Sequence, residues 1–132
     1  IEIGPKDIEN GQVVVVRRDT REKITVPMDE INTKLGEILE TIQKDLYAKA
    51  KAFLDDHIST ATTMDEMKDA VQNKKGFVKA MWCGEEACED EIKAQTGGVT
   101  SRCIPMEEEH LSDVCVCCGK PAKHMVYWGR AY

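Results

Sequence analysis

The sequence predicts an α+β fold of two-layer α/β character. A β-hairpin comes first, then a long helix, then a small domain in which helices alternate with strands of a short, mostly antiparallel sheet. Three observations carry this. A β-branched run, QVVVV at 12–16, lies one turn away from a second, KITV at 23–26. Apolar residues then recur every three or four positions from Ile31 to Leu54. Beyond residue 62, capping and breaker residues cut the chain into short alternating lengths of helix and strand.

In order along the chain, Gly11 punctuates the start of the first strand, and RRDTRE forms the polar turn to its partner. Two strands alone are marginal in water, so this hairpin is expected to need a sheet that the chain does not obviously contain. Pro27 stops the second strand. Ile31, Leu35, Ile38, Leu39, Ile42, Leu46, Phe53 and Leu54 then define a helix of about thirty residues, long for a globular protein. Asp29 and Glu30 suit its N-terminal dipole, and a cation at His57 would suit its C-terminal end. One apolar stripe fits a core helix, and it fits equally a rigid connector between two bodies.

TTMDEM opens a second helix, with Thr63 and Glu66 at capping-box spacing and Gly76 as its C′ residue. GFVKAMW (76–82) reads as a strand, EEACEDEIKAQT (85–96) as a helix ended by Gly97-Gly98, and VTSRCIP (99–105) as a strand. EEEHLSD is an acidic loop, and KHMVYWGRAY returns as the last strand.

The chain has 132 residues and a formal net charge of -6, with no apolar run long enough to span a bilayer. No secretory signal is visible at IEIGPKDIEN, and the missing initiator Met reads as a piece of something longer. Five basic residues (Lys6, Arg17, Arg18, Arg21, Lys23) balance five acidic ones in residues 1–26, so the acid excess lies downstream. Because phosphate neutralisation drives nucleic-acid affinity, any such contact belongs at the N-terminal end. Walker, G-x-G-x-x-G, G-x-S-x-G and H-E-x-x-H motifs are all missing, so no catalytic residue is assigned in this chain.

Six cysteines keep disulfides arithmetically possible, but nothing else in the chain points to an oxidising compartment. Cys83 and Cys88 stand at C-x4-C spacing; Cys115, Cys117 and Cys118 crowd into four positions. Zinc takes four soft ligands as two close pairs from separate turns. Gly84 follows Cys83 and Gly119 follows Cys118, as tight turns with amide groups near thiolate sulfur require. Adjacent side chains diverge, and one-residue spacing is uncommon at such sites, so Cys115 pairs with Cys118 and Cys117 is the bystander. The expected ligands are Cys83, Cys88, Cys115 and Cys118. Cys88 falls in the first turn of its helix, whose dipole favours a thiolate, though Glu85, Glu86 and Glu89 oppose it. His110 and His124 are alternative ligands near the second pair. Cys103 is expected as a small buried hydrophobe. Four thiolates close the coordination shell, so this zinc is structural rather than catalytic.

GPKD (4–7), GQVVVVRRDTREK (11–23), GFVKAMWCGEEACEDEIK (76–93), RCIP (102–105), CGKPAK (118–123) and the closing WGRAY together resemble the C-terminal end of prolyl-tRNA synthetases of the form with an extra zinc-binding domain. The likeness runs over essentially the whole chain. It implies an ATP- and Mg-using class II ligase that joins proline to its tRNA through a prolyl-adenylate, cytoplasmic and homodimeric, without membrane contact. On that resemblance residues 1–27 are the last part of the anticodon-binding domain, 28–57 the connector helix, and 58–132 the C-terminal zinc-binding domain. Lys6, Asp7, Arg17 and Arg18 fall where the family faces tRNA, although Asp7 also suits a local cap. Tyr132 would support the catalytic domain, itself a partner from the same chain. Two other readings stay open: a stand-alone zinc-dependent interaction module, and a thiol redox protein using Cys117–Cys118 or the C-x2-C pair.

Overall fold

The computed structural model describes residues 1–131, and Tyr132 lies outside the described residues. The chain forms two compact units, Ile1–Ala52 and a second that begins at Phe53.

The first unit opens with a one-turn helix, α1 (Pro5–Glu9), whose Asp7 reaches back to accept the Gly4 N–H at 2.9 Å. Strands β1 (Gln12–Val16) and β2 (Lys23–Pro27) pair antiparallel, with Val13 opposite Val26 and Val15 opposite Ile24. Alternation puts Val13, Val15 and Val26 on one face. There they are buried by Met28, Ile31, Leu35 and Ile38. The last three come from the long helix α2 (Ile31–Asp56). Within the described residues the hairpin therefore finds cover for one face in the helix that follows it. Only the first half of the stripe is used this way. Leu39, Leu46, Phe53 and Leu54 stay exposed.

The second unit is a two-layer sandwich. Its sheet runs β3-β4-β6-β5, from β3 (Ile58–Thr60), β4 (Phe77–Trp82), β5 (Val99–Cys103) and β6 (His124–Arg130). The pair β3/β4 is parallel, and the two pairings of β6 are antiparallel. Strand β3 was not foreseen: three residues with a single apolar side chain carry no period. Helices α3 (Met64–Asn73) and α4 (Glu86–Thr96) cover one face. Met67 and Ile92 bring that cover onto Val78, Ala80, Val99, Val126 and Trp128. Trp128 is 0% exposed and donates from Nε1 to the Ala80 carbonyl at 3.4 Å.

The capping box forms as the spacing predicts, with Thr63 Oγ1 accepting the Glu66 N–H and Glu66 accepting the Thr63 N–H. Gly76 is not the C′ residue, however. Helix α3 is capped by extended Lys74, and Gly76 (φ +120°) carries the chain close past the His57 carbonyl.

Cys103 also departs from expectation, since it is exposed rather than buried. A register shift between Ser101 and Cys103 sets Cys103 opposite Tyr127. That places it with Leu54, Ile58, Phe77 and Tyr127 around a cavity of about 230 Å³. Among the described residues, no helix is long and apolar enough to cross a membrane.

Candidate metal centre

Strand β4 delivers Cys83 immediately after Trp82, and the turn that follows places Cys88 in the first turn of α4. The second cysteine pair arrives on a turn pinned to the same strand. Val116 N–H donates to the Met81 carbonyl at 2.9 Å, and Lys123 N–H donates to the Trp82 carbonyl at 2.8 Å. An isolated bridge between Val114 and Pro121 closes the base of this turn.

The sulfurs of Cys83, Cys88, Cys115 and Cys118 converge, all within 4.8 Å of one another. Cys83 Sγ lies 3.6 Å from Cys88 Sγ and 3.8 Å from Cys118 Sγ. Cys83, Cys88 and Cys115 are buried, and Cys118 faces solvent. Four soft donors at this separation can hold one metal ion.

The two turns are built alike. Gly84 (φ +86°) and Gly119 (φ +70°) occupy the left-handed region directly after Cys83 and Cys118, where a side chain would be strained. Each turn aims the next amide at the sulfur: Glu85 N–H donates to Cys83 and Lys120 N–H to Cys118. Burial pushes the Cys83 and Cys88 thiols above the ordinary cysteine range. The Lys120 amide holds Cys118 below it. Without a bound cation, the buried pair is therefore neutral.

Cys117 stands outside the quartet, half-buried against Trp82 and the core. Burial raises its thiol as well. Neither histidine joins the site, since His110 Nε2 pairs with Asp113 and His124 Nδ1 with Glu108. Two of the carboxylates expected to oppose a Cys88 thiolate are engaged elsewhere: Glu89 accepts from Ser101, and Glu85 pairs with Lys120 at 2.9 Å. That cross-turn pair is a part of the site that sequence reasoning missed. The repeated C-G-E and C-G-K triplets held its signal.

At the N-terminal end, Lys6 and Arg18 are exposed. Arg17 is not: it is 7% exposed, with Nη2 donating to both Asp19 Oδ2 and Asp45 Oδ2 at 2.7 Å. These bonds brace Arg17 inside the first unit.

A two-layer α+β unit closed by paired cysteine turns, preceded by a helix-backed hairpin, defines a small module able to hold one metal ion and attached to a second body. Comparison with known proteins makes that specific. The family model described as the C-terminal part of prolyl-tRNA synthetase matches residues 64–132, and an anticodon-binding domain model matches residues 1–38. The chain belongs to the prolyl-tRNA synthetase family, carrying its C-terminal domain. It is 61% identical over its full length to a proline–tRNA ligase of Lachnoclostridium phytofermentans, and spans 28% of that relative. It is 56% identical to proline–tRNA ligase 2 of Bacillus cereus, again spanning 28%. The crystal structure of prolyl-tRNA synthetase from Cryptosporidium parvum, complexed with L-proline and AMP, is similar with TM-score 0.89 and 38% identity, over 99% of this chain and 28% of that one.

Proposed function

We propose that this chain is the C-terminal portion of a ligase that attaches proline to its tRNA, supplying the end of an anticodon-binding domain and a zinc-stapled domain that braces the enzyme. The observation that carries the bracing role is the closed sulfur cluster. A tetrahedral zinc with bonds of about 2.3 Å sets its sulfurs about 3.8 Å apart; here two pairs stand at 3.6 and 3.8 Å before any ion is considered. Four thiolates leave no open position, so zinc here would hold the fold and do no chemistry. The stand-alone interaction module and the redox protein are less well supported. Burial raises the Cys117 thiol and makes it a poor nucleophile, and the exposed, lowered Cys118 stands within the sulfur quartet, where a bound ion would occupy it.

On this reading the parent uses ATP and Mg for chemistry carried outside these 132 residues, works in the cytoplasm, and forms a homodimer. The catalytic domain of the same chain is a partner, with Tyr132 supporting it. The chain alone then charges no tRNA. Elemental analysis tests the metal: one zinc per chain is expected in the native protein and in Cys117→Ser, and less than one in Cys115→Ser or Cys118→Ser. No zinc in the native chain would remove the bracing role.

The tRNA contact is assigned to Lys6 and Arg18, whose side chains are free to meet phosphate, rather than to Arg17. In the full-length enzyme, Lys6→Glu with Arg18→Glu should raise KM for tRNA on the order of tenfold or more and flatten its salt dependence. Proline-dependent adenylate formation should be unaffected. An unchanged KM for tRNA would move the contact elsewhere on the enzyme.

A further inference from the structure

We infer that Glu85 and Lys120 form a clamp across the two cysteine turns that slows release of the bound metal. The inference rests on the metal reading above. Each residue stands two positions after a cysteine, in the matching place of its own turn. Their backbone amides donate to Cys83 and Cys118. Their side chains meet each other, with Lys120 Nζ 3.0 and 2.9 Å from the two Glu85 carboxylate oxygens. The pair thus joins the same two turns that the metal joins, from the solvent side.

As a contribution to folding, this ion pair is minor, because both side chains are about half exposed and such pairs are screened by water and salt. Its position gives it a different use. A metal leaves a four-thiolate site by stepwise loss of ligands. Cys118, the exposed sulfur, is the natural first ligand to let go. For Cys118 to swing away, its turn must part from the Cys83 turn, and the Glu85–Lys120 contact resists that motion. Groups that orient metal ligands commonly change affinity by about 10–100-fold when removed.

The alternative role for these residues is simple electrostatics, and it predicts opposite signs. Two thiolates more than zinc can neutralise leave the loaded centre negative. Removing Lys120 would then destabilise it, while removing Glu85 would stabilise it. A clamp predicts that both removals speed release. Glu85 also receives the Trp82 indole N–H and the Cys88 N–H, but on its backbone carbonyl. Glu85→Ala therefore keeps those bonds.

The experiment measures zinc release from the 132-residue chain into excess EDTA, for the native protein, Glu85→Ala, Lys120→Ala and the exchanged pair Glu85→Lys/Lys120→Glu. Zinc content is determined first, and the visible spectrum of the Co²⁺-loaded proteins checks that all four sulfurs still ligate. Both single variants should release zinc about tenfold faster or more. The exchanged pair should return most of the way to the native rate, and high salt should narrow the differences. Equal rates throughout, or slower release from Glu85→Ala, would overturn the clamp while leaving the metal site standing. A native chain without zinc would overturn the metal reading itself, and the clamp with it.

Discussion

Gly76→Ala should unfold the second unit at a much lower urea concentration than the native chain, with a loss on the order of 3–5 kcal/mol. Two terms add. At φ +120° an L side chain is strained, which costs about 1–3 kcal/mol. The new Cβ would also overlap the His57 carbonyl oxygen and carbon, and those are backbone atoms with nowhere to go. That carbonyl accepts the Phe77 N–H at 2.8 Å, the bond that sets β3 beside β4. Making room for the methyl therefore means parting the parallel strands. Gly98→Ala separates the two terms. Its φ is +111°, but nothing lies within 4 Å of the added atom, so only the strain should appear. Urea midpoints at constant m-value measure both. A Gly76→Ala protein no worse than Gly98→Ala would show that the close passage of the chain at His57 is not rigid.

Gly76 also shows where sequence reading stops. A glycine near the end of an apolar helical stretch reads as a helix cap, because local spacing is all that a sequence displays. What fixes its role is His57, nineteen positions back, brought alongside by a three-residue strand too short to carry a period. Arg17 is a similar case. Its neighbours mark it as one of three basic residues on a polar turn. Its burial depends on Asp45, 28 residues away on α2. Cys103 follows the strand pattern until a bulge shifts its register by one, and one residue is enough to move a side chain from one face to the other. The cysteine quartet was legible for the opposite reason. Its constraint is local at each end: two cysteines and a following glycine make a turn wherever they are placed. Only the meeting of the turns needs the fold. The helices α3 and α4 were legible through their caps and breakers, and β4 and β6 through short, mostly apolar runs that the sheet buries.

Removal of the metal should produce the largest effect of any perturbation, and its reach should be uneven. Structural zinc in small domains contributes apparent binding free energies of about 10–16 kcal/mol at neutral pH. A domain of this size has a total stability of roughly 5–15 kcal/mol. The apolar core around Trp128, Met67 and Ile92 is real but small, so losing the metal removes most or all of the margin. Chelation, or Cys115→Ser, should therefore unfold the unit beginning at Phe53. The hairpin and the first half of α2 have their own core in Val13, Val15 and Val26. They should keep their helical signal. Circular dichroism at 222 nm should fall in part, and the indole fluorescence of Trp82 and Trp128 should shift to that of water-exposed rings. Proton linkage gives a second check. A cysteine in an unfolded chain titrates at about 8.5, and burial raises the Cys83 and Cys88 thiols further wherever the unit stays folded, so both carry protons at pH 7 in the metal-free chain and must lose them to bind. At least two protons should leave per metal, and affinity should rise about 100-fold or more for each pH unit upward through neutrality. Below about pH 6 the metal should dissociate, and the second unit should unfold with it. The sign is the same as that of a salt-bridged carboxylate, which also loses its contribution on acidification, but the window is higher, because the carboxylate begins to fail only below about pH 5. Metal affinity independent of pH between 6 and 8 would mean that the thiols are already ionised before binding, and the cluster would then have to be stabilised by something other than the ion.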